Sequence, residues 1–189
     1  VQRFAKEIHK SSNRLLTLIN DIIRLSELDV TTEDIMEELD IGEMAANSVE
    51  MLQMAAEKHQ VRISFSGEKQ MVMANRQMMD ELIYNLCDNA IKYNHENGHV
   101  WITVKKEGNE AVLVVEDDGI GIPPEHQERI FERFYRVDKS HSKEVGGTGL
   151  GLSIVKHAVR QQNGKIELKS EVGKGTRITV RFYIDFTNA

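Results

Sequence analysis

Cysteine is almost missing from this chain of 189 residues. Cys87 is the only one, so no intrachain disulfide can form and a reducing compartment is expected. It falls inside an apolar helical pattern and reads as a small buried hydrophobe. Proline is nearly as scarce: the only two, Pro123 and Pro124, are adjacent. The rest of the chain is therefore free to form regular structure. No apolar run approaches the roughly 20 residues that span a bilayer, and no signal-peptide pattern is seen. A strongly basic face is also missing. Acids outnumber bases 30 to 24, the two are mixed along the chain, and the net charge is −6, which argues against nucleic acid as the primary partner. Internal repeats and low-complexity segments are absent. What remains is a chain with 40% hydrophobic residues, enough for a real core in one ordinary domain plus an appendage.

The appendage comes first. Residues 1–29 read as one long helix, with apolar residues at Phe4, Ile8, Leu15, Leu18, Ile22 and Leu25 and with Ser11 in the remaining slot. Steps alternating four and three make a heptad seam, which needs partner helices. Nothing else in the chain offers one, so the partner is expected in a preceding segment, in a second copy, or in both. Residues 30–41 are acidic and without a clear period, and read as a linker. A domain covering 42–189 follows. Its expected helices are Gly42 to Lys58, a long one capped by Asn75 and running through Tyr93, a short one from Pro124 to Phe131, and one from Thr148 to Gln162. Expected strands are Val61–Phe65 and Met71–Met73, a hairpin of Val100–Lys106 and Ala111–Asp117 around Gly108-Asn109, and a hairpin of Lys165–Ser170 and Thr176–Phe182 around Gly173-Lys174-Gly175. Helices interrupt hairpins without a repeating strand-helix-strand order. The fold class is therefore α+β, a two-layer sandwich of a mixed sheet packed on helices.

Three segments carry chemistry. Val112 to Val115 is an apolar run leading into Glu116-Asp117-Asp118-Gly119-Ile120-Gly121-Ile122-Pro123, which reads as a buried strand ending in a fixed carboxylate and a glycine turn. Gly146-Gly147-Thr148-Gly149-Leu150-Gly151-Leu152 opens an apolar helix, and glycine-rich backbone at a helix N-terminus is a ready anion site. On the long helix, Asn85, Asn89 and Lys92 share one face while Leu82, Leu86, Ala90 and Ile91 form the other. Amide oxygens can ligate Mg²⁺ and an amine can pair with phosphate. A carboxylate for a base and an amide nest for phosphates point to a nucleotide.

These segments resemble a known family. Asn85-Leu86-Cys87-Asp88-Asn89-Ala90-Ile91-Lys92-Tyr93 is similar to the N box of sensor histidine kinases. Asp117-Asp118-Gly119-Ile120-Gly121-Ile122 resembles their first glycine box, Ile130-Phe131-Glu132-Arg133-Phe134-Tyr135-Arg136 their F box, and Gly147-Thr148-Gly149-Leu150-Gly151-Leu152 their second glycine box. Four motifs in the family's order are specific where one would be weak. The resemblance implies a Bergerat-type ATP-binding fold, with residues 1–29 as the second helix of the dimerisation and phosphotransfer hairpin. It implies ATP and Mg²⁺ as ligands, and phosphoryl transfer to a histidine. Asp117 would accept the adenine exocyclic N–H, Asn85 would hold Mg²⁺ with Asn89 close by, and Lys92 and Arg136 would offset phosphate charge. Tyr93 would line the pocket, and Gly119, Gly121 and Ile122 would form the turn under the base. Gly147, Thr148, Gly149, Leu150, Gly151 and Leu152 would form the phosphate loop, with residues 137–146 a lid. Thr176 would reach the adenine through water. The implied partners are a response-regulator receiver domain and a second copy joined through a four-helix bundle. The implied location is cytoplasmic, tied to a membrane only through segments outside this sequence.

Two positions depart from the pattern: Asp118 stands where asparagine is frequent, and Asn75 where aspartate is common. The family's acceptor motif, a histidine followed by an acidic residue and then a proline, is absent; His9 has neither feature. An acceptor on a helix outside these residues is therefore expected, and this chain alone is not expected to phosphorylate itself. His95-Glu96-Asn97-Gly98-His99 matches a zinc-protease pattern, but Asn97-Gly98 is a turn signal that would break the helix this chemistry needs. Gly173-Lys174-Gly175-Thr176 lacks the leading glycine of a Walker loop. Two other readings stand beside the kinase: an ATP-driven dimer clamp of the gyrase or mismatch-repair type, opposed by the F box and the heptad helix, and a degenerate scaffold, opposed by Asn85, Lys92 and Asp117.

Overall fold

The computed structural model describes residues 35–137 and 148–184, with Phe4, Ile8, His9, Ser11, Ser12, Leu15, Leu16, Ile19 and Ile23. Those nine are helical and exposed. Leu18, Ile22 and Leu25 of the expected seam, Gly147 and the expected lid from 138 onward lie outside the described residues.

Two helices are started by side chains that satisfy their free N–H groups. Asp40 caps α1 (Ile41–Lys58) by accepting from the Gly42 N–H at 3.0 Å. The same carboxylate oxygen takes the Gln70 N–H at 3.1 Å, which holds the following strand region against the helix start. Asn75 caps α2 (Arg76–Lys92) through the Met78 N–H at 3.0 Å. Its own N–H donates to Gln162 Oε1 at 3.1 Å, pinning the start of α2 to the end of α4 (Gly151–Gln161). Apolar residues at three- and four-residue steps on α2, among them Met79, Leu82, Ile83, Leu86, Cys87, Ala90 and Ile91, are buried. Burial pushes the Cys87 thiol up to about 12, so it is a packing residue at neutral pH.

The main sheet has the order β2-β4-β5-β7-β6, from β2 (Arg62–Gly67), β4 (His99–Glu107), β5 (Glu110–Asp117), β7 (Gly175–Tyr183) and β6 (Lys165–Glu171). Only β2 and β4 run parallel. Alternation sorts its faces. Val100, Ile102, Val104, Leu113, Val115, Ile178 and Val180 join the core shared with α1, α2 and α4. β5 lies at the centre and is buried on both sides, because Val112 and Val114 are also covered, on the outer face. Lys105, Arg177 and Arg181 line that face around the two valines. A two-layer α+β sandwich with a mixed sheet is the architecture expected from the sequence.

Three local expectations are corrected. Residues 37–40, expected within a linker, form strand β1 (Glu37–Asp40), paired antiparallel with β3 (Met71–Ala74) in a separate two-stranded sheet. Leu39 and Ile41 are fully buried there, so the domain begins before Gly42. The helix expected from Thr148 starts at Gly151, since Gly149 takes φ +79° and cannot be a helical residue. The short helix expected from Pro124 to Phe131 is split into α3 (Pro124–Gln127) and a 3-10 turn (Arg129–Phe131), which buries Ile130. So short a segment has too few hydrogen bonds to hold one regular helix.

Candidate nucleotide site

The carboxylate end of the site is built by strand register. Val100 pairs with Asp117, Asp117 with Thr176, and Thr176 with Ser170, giving one row across β4, β5, β7 and β6. Directly paired residues share a face, and Val100 is buried beneath the helices, so the whole row faces the helical layer. Asp117 Oδ1 accepts the Gly119 N–H at 2.9 Å and the Thr176 N–H at 3.3 Å. Among the described residues Oδ2 takes no hydrogen bond. Burial lifts this carboxyl to about 6; the adjacent Asp118 and Glu116 add to the rise and the two backbone N–H groups oppose it. Glu116 is itself paired with Arg177 at 2.5 Å. Asp118 accepts the His99 N–H at 2.6 Å and lies 4.0 Å from His95 Nε2.

The glycine turn is held against the end of α2. Tyr93 caps that helix, and its carbonyl accepts the Ile120 N–H at 3.1 Å. Gly119 sits so close that an added Cβ would lie 2.5 Å from the same oxygen. Gly121 follows in the turn, and the Ile122 N–H donates to Ser170 Oγ at 2.8 Å. The Tyr93 side chain is partly exposed.

The phosphate end lies further back along α2. Asn85 Nδ2 donates to the Glu81 carbonyl at 2.7 Å, which fixes the amide so that Oδ1 is turned toward the start of α4. An added Cβ on Gly151 would stand 2.8 Å from Asn85 Oδ1 and 3.4 Å from Asn89 Nδ2, so glycine is what lets α4 approach this amide pair. Among the described residues no side chain caps α4, so its first turn presents free backbone N–H groups of the kind that take anions. Leu150 is fully buried and Leu152 packs on the core, so what these two can offer a ligand is backbone. Thr148 Oγ1 accepts the Leu150 N–H at 3.4 Å. The Phe134 N–H donates to the Gly149 carbonyl at 2.9 Å, which ties the segment containing Phe134 and the half-buried Arg136 to this loop. From Asn85 to Tyr93 is eight residues, about 12 Å of helix, comparable with the reach from a purine to its terminal phosphate.

Most of the residues singled out from the sequence thus line one strip along α2, with Asp117, Gly119, Tyr93 and Thr176 at one end and Asn85, Asn89 and Gly151 at the other. Lys92 directly precedes Tyr93 at the end of the helix, and it is engaged: its ammonium pairs with Asp88 at 2.5 Å, one turn back. The set lacks a metal cage, since among the described residues no three His, Cys, Asp or Glu side chains gather to hold an ion. One amide oxygen beside an anion cradle fits Mg²⁺ that arrives on phosphates, because Mg²⁺ takes few protein oxygens and keeps its other positions for phosphate and water. His95 and His99 do not share a helix: α2 ends at Lys92, and His99 lies on β4, hydrogen-bonded to Ser64 at 2.8 Å and stacked on Trp101. Two polar residues around the site escaped sequence reading: Ser170, and Gln127, whose amide holds the Ile122 and Ser170 carbonyls at 2.9 and 3.0 Å. Ser170 becomes visible only once the last hairpin is registered on Thr176.

Residues 74–187 match the family model described as histidine kinase-, DNA gyrase B-, and HSP90-like ATPase. The sensor-like histidine kinase SenX3 of Mycolicibacterium smegmatis is 37% identical over 182 residues, 95% of this chain and 47% of that protein. The sensor histidine kinase WalK of Bacillus subtilis is 34% identical over 181 residues, 94% of this chain and 30% of that protein. The chain therefore spans half or less of the length of these relatives. Among solved structures, the mycobacterial sensor histidine kinase MprB superposes with a TM-score of 0.69 at 26% identity, over 79% of this chain and 97% of that one.

Proposed function

The chain belongs to the histidine kinase-, DNA gyrase B- and HSP90-like ATPase family, and from that premise we propose that it is the ATP-binding catalytic region of a two-component sensor histidine kinase. The observation that carries the reading is the strip on α2: a fixed carboxylate with an unused oxygen at one end, and an oriented amide facing an uncapped helix start at the other. Adenine lies over the glycine turn, with its exocyclic amine on Asp117 and with Thr176 beside it. The Tyr93 ring walls the base. The triphosphate runs along α2 to the backbone of residues 148–152, near Asn89, with Lys92 and Arg136 offsetting its charge. Lys92 leaves Asp88 to do so, a partner exchange that keeps the ammonium paired at both stages.

Asn85 would hold the Mg²⁺ that enters with ATP, and the ion would supply charge neutralisation at the phosphates. The reaction is attack by an imidazole nitrogen on the γ-phosphorus: an N–P bond forms, the β–γ bridging P–O bond breaks, and ADP leaves. Such transfer depends chiefly on positioning and charge, which are what these residues provide. None of the seven histidines carries the acceptor pattern, so the nucleophile comes from a helix outside these 189 residues. Onward transfer goes to an aspartate of a response-regulator receiver domain, and the exposed apolar positions Phe4, Ile8 and Leu15 serve a helical-bundle homodimer. The test supplies Mg-ATP and a separately made helical hairpin bearing the acceptor histidine. Acid-labile phosphate on that histidine supports the reading. ATP hydrolysis with no phosphohistidine favours a clamp-type ATPase, and absence of nucleotide binding refutes both.

A further inference from the structure

Ser170 sits at the end of the row Asp117–Thr176–Ser170, behind Thr176 and the glycine turn rather than on α2. Its hydroxyl has one proton and two lone pairs. Three groups surround it. The Ile122 N–H, at 2.8 Å, can only donate to it. The Gly175 carbonyl, at 2.9 Å, can only accept from it. Thr176 Oγ1, at 2.9 Å, could do either. Since the single serine proton goes to Gly175, the threonine hydroxyl must donate to Ser170. The proton of Thr176 is thereby spent inside the hairpin, and only its lone pairs are left for the pocket. Asp117 Oδ1 is occupied by two backbone N–H groups, so its carboxylate also offers only an acceptor, Oδ2. A water between these groups and a base would give its two protons to the two acceptors, and so would itself present lone pairs.

We propose that Ser170 is a positioning residue for purine discrimination, fixing the proton of Thr176 inward so that the pocket accepts an exocyclic amine and rejects an exocyclic carbonyl. This rests on the adenine placement proposed above. An amino group brings two N–H donors to such a wall, whereas a carbonyl oxygen meets lone pairs and leaves buried polar groups unpaired, the situation that gives the largest discrimination. Without Ser170, the Thr176 hydroxyl can turn its proton to the pocket and satisfy a carbonyl.

The experiment measures ADP and GDP affinities by calorimetry, with Mg²⁺, for the unsubstituted chain, S170A, T176V and the double variant. The expected result is that S170A lowers the preference for ADP over GDP by about tenfold, mostly by tightening GDP, and that it has no further effect on the preference in the T176V background. Equal weakening of both nucleotides would make Ser170 a merely structural residue and overturn the proposal, as would a change in preference that persists without the Thr176 hydroxyl. Ser170→Cys, nearly isosteric but a weak hydrogen-bonding group, gives the same reading if S170A does not fold. An unsubstituted chain that binds neither nucleotide would overturn the adenine placement itself, an outcome distinct from ADP binding with unaltered preference.

Discussion

Asp117→Asn should make the protein more stable and a poorer nucleotide binder at the same time. The carboxyl is lifted from an ordinary value near 3.8 to about 6, first by burial, and with the negative charges of Asp118 and Glu116 beside it. Glu116 is offset by Arg177 of β7, and Asp118 lies near His95. A raised carboxyl means that the folded state holds its proton more tightly than the unfolded one. Stability therefore falls as pH rises from 3.8 to about 6, and the full penalty applies above that window. The two values bound the penalty at about 3 kcal/mol, and solvent screening of this half-buried group reduces it to roughly 1–2 kcal/mol. Asparagine keeps the shape and an oxygen for the Gly119 and Thr176 N–H groups, but carries no charge. At pH 8 the variant should melt about 2–8 °C higher, given roughly 2–4 °C per kcal/mol for a chain of this size. The gain should vanish near pH 4, where the natural residue is protonated. With its oxygen held by those N–H groups, the asparagine turns its amino group toward the base, and ADP affinity should drop about 10- to 100-fold. Thermal melts by circular dichroism across pH, with calorimetry for ADP, read both effects. A variant less stable at pH 8, or a gain independent of pH, would refute the burial reasoning. Unchanged ADP affinity would refute the assigned contact.

Asn85→Ala should leave the melt within about 1 kcal/mol of the parent, because the core face of α2 is untouched, while Mg-dependent nucleotide binding falls at least about 100-fold; calorimetry with and without Mg²⁺ checks this. Gly151→Ala replaces glycine by a better helix former, worth about 1 kcal/mol in an open helix. Its Cβ would come within 2.8 Å of Asn85 Oδ1, so nucleotide affinity should fall about tenfold or more with no loss of helix content by circular dichroism. Leu15→Glu alters a residue 60% exposed in the single chain, so the domain's melting should not change, while sedimentation should show a weakened dimer; an unaltered dimer would count against the heptad seam.

How much could be read in advance depended on how local the cause was. The caps Asp40 and Asn75, the buried face of α2 and the doubly covered β5 follow from residues near one another in the chain, and periodicity captured the last two and the Asn75 cap. β1 did not show itself, because Glu37–Asp40 has one core residue of its own, Leu39, and becomes a strand only by pairing with β3 more than thirty residues away. The start of α4 was misplaced for a different reason. Apolar spacing cannot report the handedness of one residue, and Gly149 at φ +79° delays the helix to Gly151.

The site divides along the same line. Asp117, Asn85 and the glycines are legible because each brings a group the ligand chemistry demands. The residues that decide how those groups are presented were not, since a serine or glutamine in a strand or short helix has no signature of its own. Ser170 is ordinary in sequence, yet the register opposite Thr176 makes it the atom that settles where a neighbouring proton goes. Lys92 teaches the converse. Its i,i+4 partner Asp88 was visible in the sequence, and assigning the ammonium to phosphate alone overlooked that in the unliganded fold it already has a counter-ion. Phosphate must therefore compete with Asp88 for Lys92. The pair is half-buried, with 32% and 19% of the two side chains exposed, so it is worth somewhat more than the roughly 0.3–0.5 kcal/mol of an exposed i,i+4 pair; a hydrogen bond to a charged phosphate, about 1.5–3 kcal/mol, would outweigh it, and in the proposed placement the aspartate would act as a placeholder that keeps the ammonium on the α2 strip.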